Sequence, residues 1–298
     1  MSTKLSLIFL IIGILVFFSI IVRFIQHWQW KISGLKRIIG TNNAAAGIEF
    51  AGFLFGVFII ISSVLDGISL HKNQMLNLME NGSASLWSFA IAIVCYGIVG
   101  VLVLLFLGQL GVHLLLHLNI KAAVRSNNIA AAVVVASIYF SGAFVIAGVF
   151  SGENEGGDGM VAFVFLTAGL CALFLLTYFY RFITSYSDEK EIKADNVAAS
   201  LSYGGMMIAL GLIIGHAVEG NFIDYPTSGL LFGKALLAVL ILYPVRQILV
   251  QGILLGEGFQ FYGGHLDEEI STAHNSGAGA VEAATYLTAA ILAIHLGY

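Results

Sequence analysis

Eight stretches of nearly unbroken apolar residues, 5–24, 43–64, 88–110, 128–150, 160–179, 196–217, 230–250 and 275–296, alternate with short polar segments along the 298-residue chain. Each is close to the roughly 20 residues a helix needs to cross a hydrocarbon core about 30 Å thick. In lipid the backbone must satisfy its own hydrogen bonds within the segment, so these stretches predict transmembrane helices. The first stretch has no basic leader beyond Lys4, no A-x-A-like cleavage site, and Arg23 near its far end. It therefore predicts a retained helix and not a signal peptide.

The polar punctuation repeats as well. Thr41-Asn-Asn-Ala-Ala-Ala-Gly opens the second stretch, Ser126-Asn-Asn-Ile-Ala-Ala-Ala the fourth, Ala194-Asp-Asn-Val-Ala-Ala-Ser the sixth and His274-Asn-Ser-Gly-Ala-Gly the eighth. A glycine follows 24 residues after Asn43, Asn128 and Asn196, at Gly67, Gly152 and Gly220. Asn43 and Asn196 are 153 residues apart, Asn128 and Asn275 147. The pattern predicts an all-α integral membrane protein of four helical hairpins, written as two four-helix halves, 1–158 and 159–298. Two crossings return the chain to its starting side, so the repeats are parallel, unlike the inverted repeats of many transporters.

An asparagine followed by an Ala/Gly run at the start of a membrane helix, in tandem helix pairs, resembles the uncharacterised bacterial inner-membrane family called domain of unknown function 350 (YjfL-like), here as two copies. Gly277 and Gly279 depart from the alanines of that motif in the last repeat. The resemblance implies a bacterial plasma membrane and a neighbourhood of envelope-stress proteins, and it carries over no catalytic residue.

Composition agrees with lipid as the solvent: 59% of residues are hydrophobic and 10% charged, against about a quarter charged in soluble domains. A net charge of −4 leaves no basic surplus for nucleic acid. The odd-to-even connections carry ten bases, Arg23, Lys31, Lys36, Arg37, Lys121, Arg125, Arg181, Lys190, Lys193 and Arg246, against three, Lys4, Lys72 and Lys234, on the other side. Positive charge marks the cytoplasmic side, so both termini are expected outside, with Glu153, Glu155 and Asp158 in an external loop.

The side chains that carry chemistry are few. Asn43, Asn128, Asn196 and Asn275 stand where N-caps belong; the alternative is four converging helix N-termini that seat an anion. Small residues four apart follow them: Gly47/Ala51, Gly52/Gly56, Ala132/Ala136, Ser137/Ser141, Ser200/Gly204, Gly205/Ala209 and Gly211/Gly215. That spacing lets membrane helices approach closely and predicts the even helices inside, the bulky odd ones facing lipid. Glu49 and Glu282 lie six and seven residues into their helices, about 9 Å deep at 1.5 Å per residue. A carboxyl there is a functional candidate by default; the alternative is a structural hydrogen bond. The two become neighbours if the hairpins close into a ring. His113 and His117 share a face without accompanying Asp, Glu or Cys, which favours an interfacial pair over a metal site. The segment with His265, Asp267, Glu268 and Glu269 reads as a solvated face, and Cys95 and Cys171 as buried packing thiols. With no P-loop, dinucleotide or hydrolase motif in context, no enzyme and no cofactor are expected. Two function classes stand. One is a small-ion or small-solute channel or transporter with Glu49 and Glu282 on the pathway. The other is a scaffold or sensor that holds a cytoplasmic stress protein at 31–37 and 187–195. Lipid is the expected partner in both, and a homo-oligomer is compatible with either. Transport is the favoured reading.

Overall fold

The computed structural model describes residues 3–30, 40, 42–69, 83–151, 159–180, 182, 184–220, 222–260 and 262–296. Among the described residues, eight helices are long and apolar enough to cross a membrane. They are α1 (Thr3–Trp30), α2 (Ala44–Ser69), α3 (Ser83–Leu116), α4 (Ile129–Ser151), α5 (Gly159–Tyr180), α6 (Val197–Val218), α7 (Tyr225–Leu254) and α8 (Ser276–His295). They match the eight predicted stretches. The largest extensions are at α1, α3 and α7. Gly67 lies inside α2, which runs on to Ser69, Gly152 falls outside the described residues, and Gly220, at φ +153°, follows the end of α6.

The even helices form one continuous row. α2 packs on α4, α4 on α6 and α6 on α8, and the seam between the two halves, α4 against α6, is as extensive as those within them. The cause is the absence of side-chain bulk. A Cβ on Gly52 would overlap Ala136, one on Gly205 would overlap Ala283, and one on Gly211 would overlap Ser141. Gly56 lies against Leu104 and the Tyr139 carbonyl, and Gly215 against the Phe144 carbonyl. With no solvent-driven hydrophobic force between helices in lipid, such backbone approach supplies the attraction. Burial follows this order in the middle of the row, with 78% of the α4 and α6 spans buried against 17% of α5 and α7, while α8 at the row's end, at 33%, is less buried than α3 at 39%.

Two expectations need correction. The row is open: α2 and α8 stand at opposite ends with no packing of comparable extent between them, so Glu49 and Glu282 are not neighbours. Cys95 and Cys171 are free and on outward faces of α3 and α5, where lipid and not protein surrounds them.

Short helices precede the capping asparagines: Ile120–Arg125, Asp188–Lys193 and His265–Ser271. Asn119 caps the first and Ser187 the second, each nine residues before its repeat asparagine. α7 is the irregular helix. After Tyr225–Ala235 it tightens to a 3₁₀ stretch at Leu236–Ile241 and widens to a π stretch at Val245–Leu254. Pro244 sits between the two, lacking a donor and crowding the carbonyl four residues back, which disrupts regular α pairing.

Candidate functional site: polar groups at the Asn-capped end

The four repeat asparagines do two jobs. Each side-chain oxygen caps its own helix: Asn43 accepts from Ala46 N at 2.7 Å, Asn128 from Ala131 N at 2.6 Å, Asn196 from Ala199 N at 3.2 Å, and Asn275 from Gly277 N and Ala278 N at 3.0 and 3.2 Å. The first three then donate from Nδ2 to the next hairpin. Asn43 reaches Val124 O at 2.7 Å, Asn128 reaches Ile192 O at 3.0 Å, and Asn196 reaches Ile270 O at 2.8 Å. A return bond completes two of these staples, Ala45 N donating to Asn127 Oδ1 at 3.1 Å and Ala130 N to Asp195 Oδ1 at 2.8 Å. The residue before each asparagine is left-handed, at φ 46° (Asn42), 60° (Asn127), 64° (Asp195) and 52° (His274). Asn and Asp tolerate that conformation better than other side chains do. The helix ends thus stand in a row with first-turn donors held by protein oxygens, so they do not converge as an anion seat. Asn128→Ala removes a cap and takes one donor away from the Ile192 and Lys193 carbonyls of the next hairpin. It should lower stability by about 2 kcal/mol, whereas Asn275→Ala, which staples nothing, should lose about 1 kcal/mol. Unfolding of the two variants in micelles compares them.

Glu49 is buried, with 1% exposure. Gln26 Nε2, on α1, donates to Glu49 Oε1 at 3.5 Å. Gln26 is equally buried, and its Oε1 has no hydrogen-bond partner among the described residues. The carboxyl lines a cavity of about 490 Å³ with Gln29, Gln109, His113, His117 and Tyr139, and with Asn119 and Lys121 at the Asn-capped end. Further along α2 and α3, Phe53, Val57, Ile60 and Leu104 are fully buried in the apolar core. His113 and His117 do share it, but no cluster of three or more His, Cys, Asp or Glu able to hold a metal occurs among the described residues.

Glu282 has a different environment. Arg246 Nε donates to Glu282 Oε1, Arg246 Nη2 donates to Asp267 Oδ1, and all three side chains are buried. Tyr286 OH donates to the same Glu282 oxygen at 3.0 Å, and Ser185 N and Oγ donate to Asp267 Oδ2 at 2.8 and 2.6 Å. The cluster ties α7, α8, the short helix His265–Ser271 and the α5–α6 connection together. Next to it a small space of about 10 Å³, lined by Tyr180, Ser202, Tyr203, Arg246 and Tyr286 among others, is the size of one water. Burial, with Asp188 nearby, pushes the Tyr186 hydroxyl well above the ordinary tyrosine range, so it stays neutral.

This cluster was missed in the sequence. Arg246 counts there as a loop base and Asp267 as part of a solvated face, yet both are 1% exposed. Without Arg246 the charge bias is nine against three, and Lys31, Lys36, Arg37, Lys72 and Arg181 lie outside the described residues, as does most of the acidic 151–159 loop. The available signal was Arg246, Gln247 and Gln251 together in an otherwise apolar stretch; all three are buried.

The family model described as Domain of Unknown Function (DUF350) matches residues 1–150 and again 157–296. A UPF0719 transmembrane protein of Aquifex aeolicus (strain VF5) is 22% identical over 222 residues, covering 72% of this chain and 75% of its own length. No solved structure matches.

Proposed function

The chain belongs to the DUF350 family in two tandem copies, and from that premise we propose a non-enzymatic polytopic protein of the bacterial plasma membrane that moves a small cation, the proton included, with Glu49 as the binding carboxyl. The observation that carries the reading is a buried carboxyl in a cavity wall with an unmatched acceptor beside it. Glu49 lines the cavity, and among the described residues the Oε1 of its neighbour Gln26 has no donor. A buried acceptor without a partner is unfavourable by about 1–3 kcal/mol, and a cation or a proton on the carboxyl would relieve it. A carboxyl held at membrane depth against a water-filled space is the usual form of an ion pathway. The buried apolar residues Phe53, Val57, Ile60 and Leu104 further along α2 and α3 support a gated cycle over an open pore. Glu282 serves in this reading as an anchor for Arg246 and not as a second pathway group. The Asn-capped end faces the cytoplasm and both termini lie outside, by the excess of bases.

Purified protein in liposomes, loaded for proton or alkali-cation flux, tests this. Glu49→Gln keeps shape and hydrogen bonding, so the variant should fold like the wild type and lose at least tenfold in flux. Wild-type liposomes with no flux for any small cation would leave the scaffold reading, in which the protein holds a cytoplasmic stress protein.

A further inference from the structure

The small residues of the even helices resolve into two faces with a fixed register. Counted from the capping asparagine, positions +2, +9 and +13 form a forward face: Ala45, Gly52, Gly56 on α2; Ala130, Ser137, Ser141 on α4; Ala198, Gly205, Ala209 on α6. Each packs on positions +4, +8 and +15 of the next even helix. Thus Gly52 meets Ala136, Gly56 meets Ala143, Ser137 meets Gly204, Ser141 meets Gly211, Gly205 meets Ala283, and Gly279 meets the Ala198 carbonyl. The same joint is formed three times, and both of its halves are left over at the ends of the row. α8 carries the forward face as Gly277, Ala284 and Thr288, all exposed, and α2 carries the rear face as Gly47, half-buried, and Ala51, exposed, with the larger, half-buried Phe58 at the third position.

The staple is left over in the same way. At the three internal joints the next hairpin brings a carbonyl to the asparagine amide. At the fourth, Asn275 Nδ2 turns to Glu269 Oε2 of its own hairpin at 2.7 Å. Its oxygen also takes the Gly277 N–H, the position that Asn127 and Asp195 serve for α2 and α4. Beside Asn275, Gly277, Ala278 and Val281 lies an open groove of about 490 Å³, at the place a following hairpin would occupy. Asn42, left-handed like its three counterparts and exposed, is the residue of the first hairpin that would enter it.

We infer that the free α8 face binds the free α2 face of a second copy of this chain, head to tail, repeating the internal joint between molecules. Such an interface is heterologous: it joins two different surfaces and closes as a ring when the rotation permits. The occupant is another copy because α2 presents small residues, Gly47 and Ala51, at the first two rear positions of the register that fits α8.

Cysteine cross-linking in membranes tests it, with Cys95 and Cys171 replaced by Ser. Copies with Ala51→Cys and Ala284→Cys, separately tagged and co-expressed, should cross-link to each other, while Ala284→Cys alone should give no dimer. Ala284→Leu, on a face that lipid would cover in the monomer, should leave the melting temperature of the monomer unchanged and convert the oligomer to monomer in subunit counting. An Ala284–Ala284 cross-link, or no cross-link with the wild type monomeric, would overturn the inference.

Discussion

Replacing Arg246 with methionine should lower stability by about 3–5 kcal/mol, the loss expected when one partner of a buried ion pair is removed. The methionine fills much of the volume, so the effect is electrostatic. Asp267 keeps its two bonds from Ser185 and Glu282 keeps Tyr286, but two buried carboxyls then share the site without a cation. Adding Glu282→Gln to Arg246→Met should recover part of the loss, because it removes one of the uncompensated charges. Urea or heat unfolding in micelles measures both variants. Equal stability of wild type and Arg246→Met would show that the guanidinium does not hold α7, α8 and the short helix together.

Gly52→Leu is the second large effect. Gly52 faces Ala136 at backbone distance, so four added carbons must separate α2 from α4. Overpacking a close-packed interior costs about 1–3 kcal/mol, and here the asparagine staple of the same joint is strained as well, so loss at the top of that range is expected. Ile11→Ala, on an outward face of α1, should change stability by less than about 0.5 kcal/mol. Comparable losses at both positions would contradict an inner row of even helices.

Much of this architecture is legible in the sequence because it rests on local and periodic features. An apolar stretch of membrane length, an asparagine at its start and small residues four apart each have one economical structural meaning, and their fourfold recurrence fixes the hairpins. What the sequence leaves open are pairings between distant residues. The Asn128 amide can be assigned to a cap from its position, but its bond to Ile192 depends on which hairpin lies next door. Glu49 and Glu282 look alike by depth, and they differ only because α7 supplies Arg246 to one while α1 supplies Gln26 and a cavity to the other. Arg246 is counted with the loop bases although it lies four residues inside the end of the 230–250 stretch, and the chain continues there through a π stretch in which its side chain is buried.

The proposed pathway requires that water reach Glu49 from the Asn-capped end and that this end face the cytoplasm. Glu49→Cys, in a chain with Cys95 and Cys171 replaced by Ser, can be challenged with a small charged thiol reagent in sealed membrane vesicles of either orientation. Rapid labelling in inside-out vesicles, with none in right-side-out vesicles, is the predicted result. No labelling in inside-out vesicles, or labelling from the outside instead, would contradict the cavity as an entry site for a cytoplasmic cation.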